Sequence, residues 1–154
     1  MDLQFNYLRG WIIRPTESGT AAPSNTMAGP LPFVRARPGN ANDGKPKFNP
    51  HRFDEDCFKL LRARARALPV HGICFSVMLF ELCGFLEGEE MNGQRLWDGN
   101  PFNGAHKVNG IEVDRNRNRL GEACSSLENQ ELLKLQQACG EKTVDILTAP
   151  SRAT

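Results

Sequence analysis

Residues 73–80, ICFSVMLF, form an unbroken run of apolar and small side chains. The run has no polar alternation and is rich in Ile, Val and Phe. That is the pattern of a strand buried on both faces, the kind found in parallel sheets. Gly72 opens it and Glu81 closes it. Upstream, residues 53–68 read as an amphipathic helix, with Phe53, Cys57, Phe58, Leu60, Leu61, Ala65 and Leu68 on its apolar stripe. Helix, short turn, buried strand and closing carboxylate are the order of an α/β unit. Such folds bind ligands at the carboxyl ends of their strands. Glu81 is therefore the first candidate for chemistry, although an acid after a strand is also what an ordinary solvated loop carries.

The remaining elements are read around that unit. Residues 5–13, FNYLRGWII, are a second β-prone segment, weakened by Gly10. Residues 16–50 read as one long loop dense in Pro, Gly, Asn and Ser, with a single short extended piece at 31–34. A stretch of more than about 15 residues without regular structure is usually functional or disordered. Inside it, Asn42-Asp43-Gly44-Lys45-Pro46 is strong turn chemistry. Asn49 or Asp54 is expected to cap helix 53–68, and Arg62, Arg64 and Arg66 fall on its solvated face. Pro69 and Gly72 end that helix and turn the chain into the central strand.

A second irregular stretch, 82–125, carries Trp97, Asn100, Asn103, His106 and Asn109. Aromatic rings beside amides suit saccharides, because a ring covers the C–H side of a pyranose and amides bond its hydroxyls. The last element is a helix at 126–147, with Ser125-x-x-Glu128 as a capping box and Leu132, Leu135, Cys139, Thr143 and Ile146 on one face. Gly140 in its middle costs about 1 kcal/mol against Ala.

A net charge of +1 creates no field that favours nucleic acid or an anionic membrane. No apolar run approaches the ~20 residues of a membrane span. The first residues lack the basic leader and apolar core of a secretory signal. Cys57, Cys74, Cys83, Cys124 and Cys139 are odd in number and contain no C-x-x-C pair, so neither a disulfide framework nor a zinc site is indicated. Cys57, Cys74 and Cys139 sit at apolar positions and read as core residues. No phosphate loop, dinucleotide fingerprint, zinc-protease motif or nucleophile elbow occurs. The expected cofactor and metal content is none.

Several stretches together resemble one family. GKPKFNPHRFDEDCFKLLRARARALPVHGICFSVMLFE, Trp97, GNPFNGAHKVNGIEVD and FNYLRGWI are similar to segments of bacterial glycoside-hydrolase-like (β/α)8 barrel proteins of the cellulase-like and apiosidase-like superfamily. The resemblance implies an α/β fold: a partial (β/α)8 TIM barrel over residues 1–154, of about two βα units with long βα loops. Segment 5–13 would be the second barrel strand and 73–80 the third. Arg9, Trp11, Glu81, Trp97, Asn100, Asn103 and Asn109 are the matched positions expected to line a saccharide cleft.

His71 stands where the family usually has Arg, and Cys83 occupies a Gly- or Trp-rich position. Asn100 replaces a usual His, and His106-Lys107 a usual Asn pair. In that superfamily the acid/base is a Glu after the fourth strand and the nucleophile a Glu after the seventh, whereas this sequence stops at Thr154, before the fourth. The implied function is part of a hydrolase of O-glycosidic bonds, inactive as this chain alone, with oligo- or polysaccharide as partner. The alternative is a non-catalytic saccharide-binding or scaffold remnant.

Overall fold

A computed structural model describes residues 7–11, 31–80, 90–91, 94–95, 97, 100–118 and 121–150. They form a mixed α/β structure with strands β1 (Tyr7–Trp11), β2 (Phe33–Asn40), β3 (Pro46–Phe53), β4 (Cys74–Met78), β5 (Glu90–Met91) and β6 (Gln94–Arg95). Two helices, α1 (Glu55–Ala67) and α2 (Gln130–Thr148), complete it. The strands pair in twos: β1 with β4 in parallel, β2 with β3 antiparallel, and β5 with β6 antiparallel.

Asp54 is the cap of α1, as its short carboxylate allows. Its Oδ1 accepts from the Asp56 N–H at 3.0 Å and the Cys57 N–H at 3.4 Å. Phe58 is fully buried, but Leu60 is exposed, contrary to its place in the expected stripe. After α1 a tight turn at Pro69–His71 ends in Gly72, whose φ of 68° suits a residue without Cβ. The chain then enters β4, as the Pro and Gly signals predict.

β4 runs parallel to β1 with Tyr7 opposite Cys74 and Trp11 opposite Met78. It is not buried on both faces. Phe75 to Met78 are half-buried and Cys74 is exposed, so Cys74 is not a core residue. The apolar run anticipates cover on two faces, but among the described residues β4 has one strand neighbour, and a two-stranded ribbon cannot close over both.

Residues 33–53 correct the expected long loop. They form a β-hairpin with Phe33 opposite Phe53 and Arg35 opposite Phe48. The Asp-Gly turn closes it. Gly44 takes a φ of 76°, and the Ala41 N–H donates to the Lys45 carbonyl at 2.8 Å. Arg35 lies over the Phe48 ring and donates to both Asp43 oxygens, at 3.0 and 2.5 Å. Burial pushes the Asp43 carboxyl up, but the Arg35 hydrogen bond and the Lys45 N–H outweigh it, and the pKa falls below 3.8. Pro and Gly content obscured the hairpin, because composition does not separate a loop from an edge ribbon.

The first turn of α2 differs in detail from expectation. Its cap is Asn129, which accepts from the Leu132 N–H at 3.0 Å, rather than Ser125. Ser125 belongs to a short 3-10 turn at Glu122–Ser125. Leu132, Leu135, Cys139 and Thr143 are buried as their spacing requires. Leu132, Leu135 and Cys139 meet Phe33, Phe48, Trp97, Phe102 and Val113 in one core between the hairpin, the 97–113 segment and α2.

α1 and α2 run side by side in the same direction. Lys142 donates to Glu55 at 2.8 Å near the start of α1, and Arg62 and Arg66 reach the end of α2. Arg62 donates to the Ala149 and Pro150 carbonyls, both at 2.8 Å, and Arg66 to Ala149 at 2.9 Å. These cations satisfy carbonyls at the negative end of α2. They hold two elements together rather than face solvent freely. Arg62→Ala is expected to lower stability by about 1.5–3 kcal/mol, the range for hydrogen bonds to a charged group. Urea unfolding followed by circular dichroism measures it, and an unchanged midpoint would mean that water replaces the clamp.

Candidate functional site

The residues expected to line a cleft separate into three groups. Arg9 and Trp11 lie on β1, where the register sets them opposite Ser76 and Met78. Glu81 and Cys83 lie outside the described residues. The third group, Trp97, Asn100, Asn103 and Asn109, belongs to the segment that packs on the hairpin. That segment joins β3 edge-on: the Phe48 N–H donates to the His106 carbonyl at 2.6 Å and the Val108 N–H to the Phe48 carbonyl at 2.9 Å.

Within it, most of the aromatic and amide chemistry serves the fold. Trp97 is 2% exposed and sits in the core. Asn100 is buried, and its Oδ1 accepts from the Phe102 N–H at 2.9 Å. Asn103 donates through Nδ2 to the Trp97 carbonyl at 3.1 Å and accepts at Oδ1 from the Ala105 N–H at 3.0 Å. Both amides do what Asn does in tight turns, which is to replace missing backbone partners. A buried ring and two engaged amides leave little for a saccharide to contact.

Asn109 is different. Its Nδ2 and Oδ1 are both screened from water and neither has a hydrogen-bond partner. An orphaned buried polar group costs about 1–3 kcal/mol, so this amide is held at a loss to the fold. It lines a groove of about 620 Å³ between the end of β3, the 109–111 turn and the first turns of α2. Phe53, Ile111, Leu135 and Ala138 supply apolar wall, and His51, Glu131 and Lys134 supply polar rim. His51, Glu131 and Lys134 were not singled out from the sequence. They are distant in the chain and meet only because α2 packs against the hairpin.

Behind the turn, Lys107 is 5% exposed and donates from Nζ to the Ile111 carbonyl. Burial lowers its pKa, opposed by the charge of Glu112. The thiols nearby are inert. Burial pushes Cys124 up to about 12 in spite of the Lys107 charge, and burial pushes Cys139 up to about 11. Burial, with Asp54 adding to it, also raises Cys57 to about 11. A thiol is nucleophilic or metal-binding only as thiolate, so these three are packing residues near neutral pH. Among the described residues no group of three or more His, Cys, Asp or Glu side chains could hold a metal ion, and no helix is long and apolar enough to cross a membrane.

Compared with family models, curated proteins and solved structures, the chain matches none.

Proposed function

We propose that this chain is part of a carbohydrate-active hydrolase of O-glycosidic bonds, with β1 and β4 as neighbouring strands of a (β/α)8 barrel. The observation that supports it most is the parallel, in-register pairing of β1 with β4, with α1 lying between them in the sequence. Parallel neighbours need a crossover connection, usually a helix, and in barrels of this kind the ligand side is the carboxyl edge of the strands. The parallel course of α1 and α2 agrees with the same layout.

Glycoside hydrolysis needs two carboxyl groups, ~5 Å apart for retention and further for inversion. Glu81, which follows β4 in the sequence, is this chain's candidate for one. Its partner carboxyl would come from later strands, so these residues alone are expected to bind saccharide without turnover. In a longer native protein, Glu81→Gln is expected to lower kcat/KM at least ~10-fold, about 1.4 kcal/mol of transition-state stabilisation. Steady-state kinetics on aryl glycosides and polysaccharides test this, and unchanged turnover removes Glu81 from the mechanism. A non-catalytic saccharide-binding role is the second reading, and the orphaned amide in the Asn109 groove favours it.

A further inference from the structure

We infer that the Asn109–Gly110 pair is a site of spontaneous covalent modification, at which the Asn109 amide is lost as ammonia and aspartate or isoaspartate remains. The inference is independent of the saccharide reading, because the nucleophile is the chain itself.

The reaction is that of an asparagine followed by glycine. A base from solvent removes the Gly110 N–H proton, and that nitrogen attacks Cγ of Asn109. A C–N bond forms, the Cγ–Nδ2 bond breaks, and Nδ2 takes a proton from water and leaves as ammonia. The product is a five-membered cyclic imide. Water then opens it at either carbonyl. One opening gives aspartate on the original backbone, and the other gives isoaspartate, whose backbone runs through the side-chain carbon. No oxidant or reductant enters.

What the fold adds is a contrast between two copies of the same dipeptide. Asn-Gly occurs at 92–93, 103–104 and 109–110, and the first pair lies outside the described residues. Asn103 is held at both ends of its amide, with Nδ2 donating to the Trp97 carbonyl at 3.1 Å and Oδ1 accepting from the Ala105 N–H at 3.0 Å. Its Cγ turns towards the Gly104 nitrogen only after both bonds break. Asn109 has no such hold, since neither Nδ2 nor Oδ1 has a hydrogen-bond partner. Both atoms are screened from water, but the attacking nitrogen belongs to the next residue and needs no path to them. The Gly110 N–H makes no hydrogen bond among the described residues, and Gly110 is exposed, so base and water reach the site from its side.

The turn itself does not demand this glycine. Gly110 does not take a positive φ, and a Cβ there would meet no atom within 4 Å. Its effect is on reactivity, because without a side chain the nitrogen is unhindered. The pair also sits between two fixed points. The Val108 N–H donates to the Phe48 carbonyl at 2.9 Å, and Ile111 is buried in the core. Isoaspartate adds one methylene carbon to the backbone between them. Either product puts a carboxylate where the amide was screened from water, which is costly. Modification therefore loosens the 108–111 segment from the hairpin.

The test is ageing of the folded 154-residue chain in mildly alkaline buffer, followed by peptide mapping with mass spectrometry that separates aspartyl from isoaspartyl products. The Asn109 peptide should convert at least about tenfold faster than the Asn103 peptide, the factor that two hydrogen bonds on Asn103 supply. In urea the two should convert at similar rates, because the dipeptides are the same. Gly110→Ala should slow conversion of Asn109 severalfold and leave the melting temperature unchanged or higher, since the new methyl has room. Equal rates at Asn103 and Asn109 in the folded chain would overturn the assignment. So would conversion of Asn109 at least about tenfold faster in urea than in buffer, which would mean that the fold protects this amide too. Both comparisons are made within the parent chain and need no variant.

Discussion

Trp97→Ala is expected to destabilise the chain by about 3–5 kcal/mol, the range for truncating a buried aromatic to Ala. The ring is 2% exposed and belongs to the core that also holds Phe33, Phe102 and Leu132. Phe102 meets Phe33 edge-on with centroids 5.6 Å apart, so the neighbours of the lost ring are themselves fixed by packing. They cannot collapse into the space without giving up that geometry, and the cavity term adds to the lost transfer energy. A loss of this size is a large share of the ~5–15 kcal/mol that holds an ordinary domain together. Urea unfolding monitored by far-UV circular dichroism measures it. A saccharide platform would behave in the opposite way, with binding lost and the midpoint kept. That result would move Trp97 out of the core and back into a cleft.

The second large effect is at alkaline pH. Burial raises the Cys124 thiol from 9.0 to about 12. Below pH 9 the thiol is protonated in both folded and unfolded chains and contributes no slope. Between about 9 and about 12 the unfolded chain releases the proton first, so stability falls as pH rises. One such group contributes up to ~1.4 kcal/mol per pH unit across that window. Lys107 works against this. Its pKa is lowered by burial, so the folded chain loses that proton before the unfolded chain does, and stability rises with pH over the same region. Cys124→Ala should therefore make the alkaline decline shallower without abolishing it, because burial raises the Cys57 and Cys139 thiols as well and they contribute the same slope. Urea midpoints from pH 8 to 11 give the comparison, and parallel profiles would mean that the Cys124 thiol reaches water.

Local chemistry was legible wherever one residue type dictates one conformation. Asp54 capping α1, Gly72 turning the chain into β4 and Gly44 in the hairpin turn follow from side-chain reach or from tolerance of positive φ. The buried face of α2 follows from spacing alone, since Leu132, Leu135, Cys139 and Thr143 recur at the helical period. The hairpin at 33–53 was hidden by its Pro and Gly residues, and Ser125 lost the cap of α2 to Asn129, because a cap is chosen by where packing lets the helix begin.

The site was the least legible part. Asn100, Asn103 and Asn109 are the same residue type within ten positions, and nothing in their order separates the two that bond backbone from the one that does not. Periodicity and turn chemistry determined the helices, the parallel strand candidates and the tight turns, since those depend on neighbours along the chain. Which amide is left without a partner, which rings close into the core and which charges meet across a groove were decided by α2 packing against the hairpin. Those contacts join residues far apart in sequence, and only the folded chain brings them within a hydrogen bond's length.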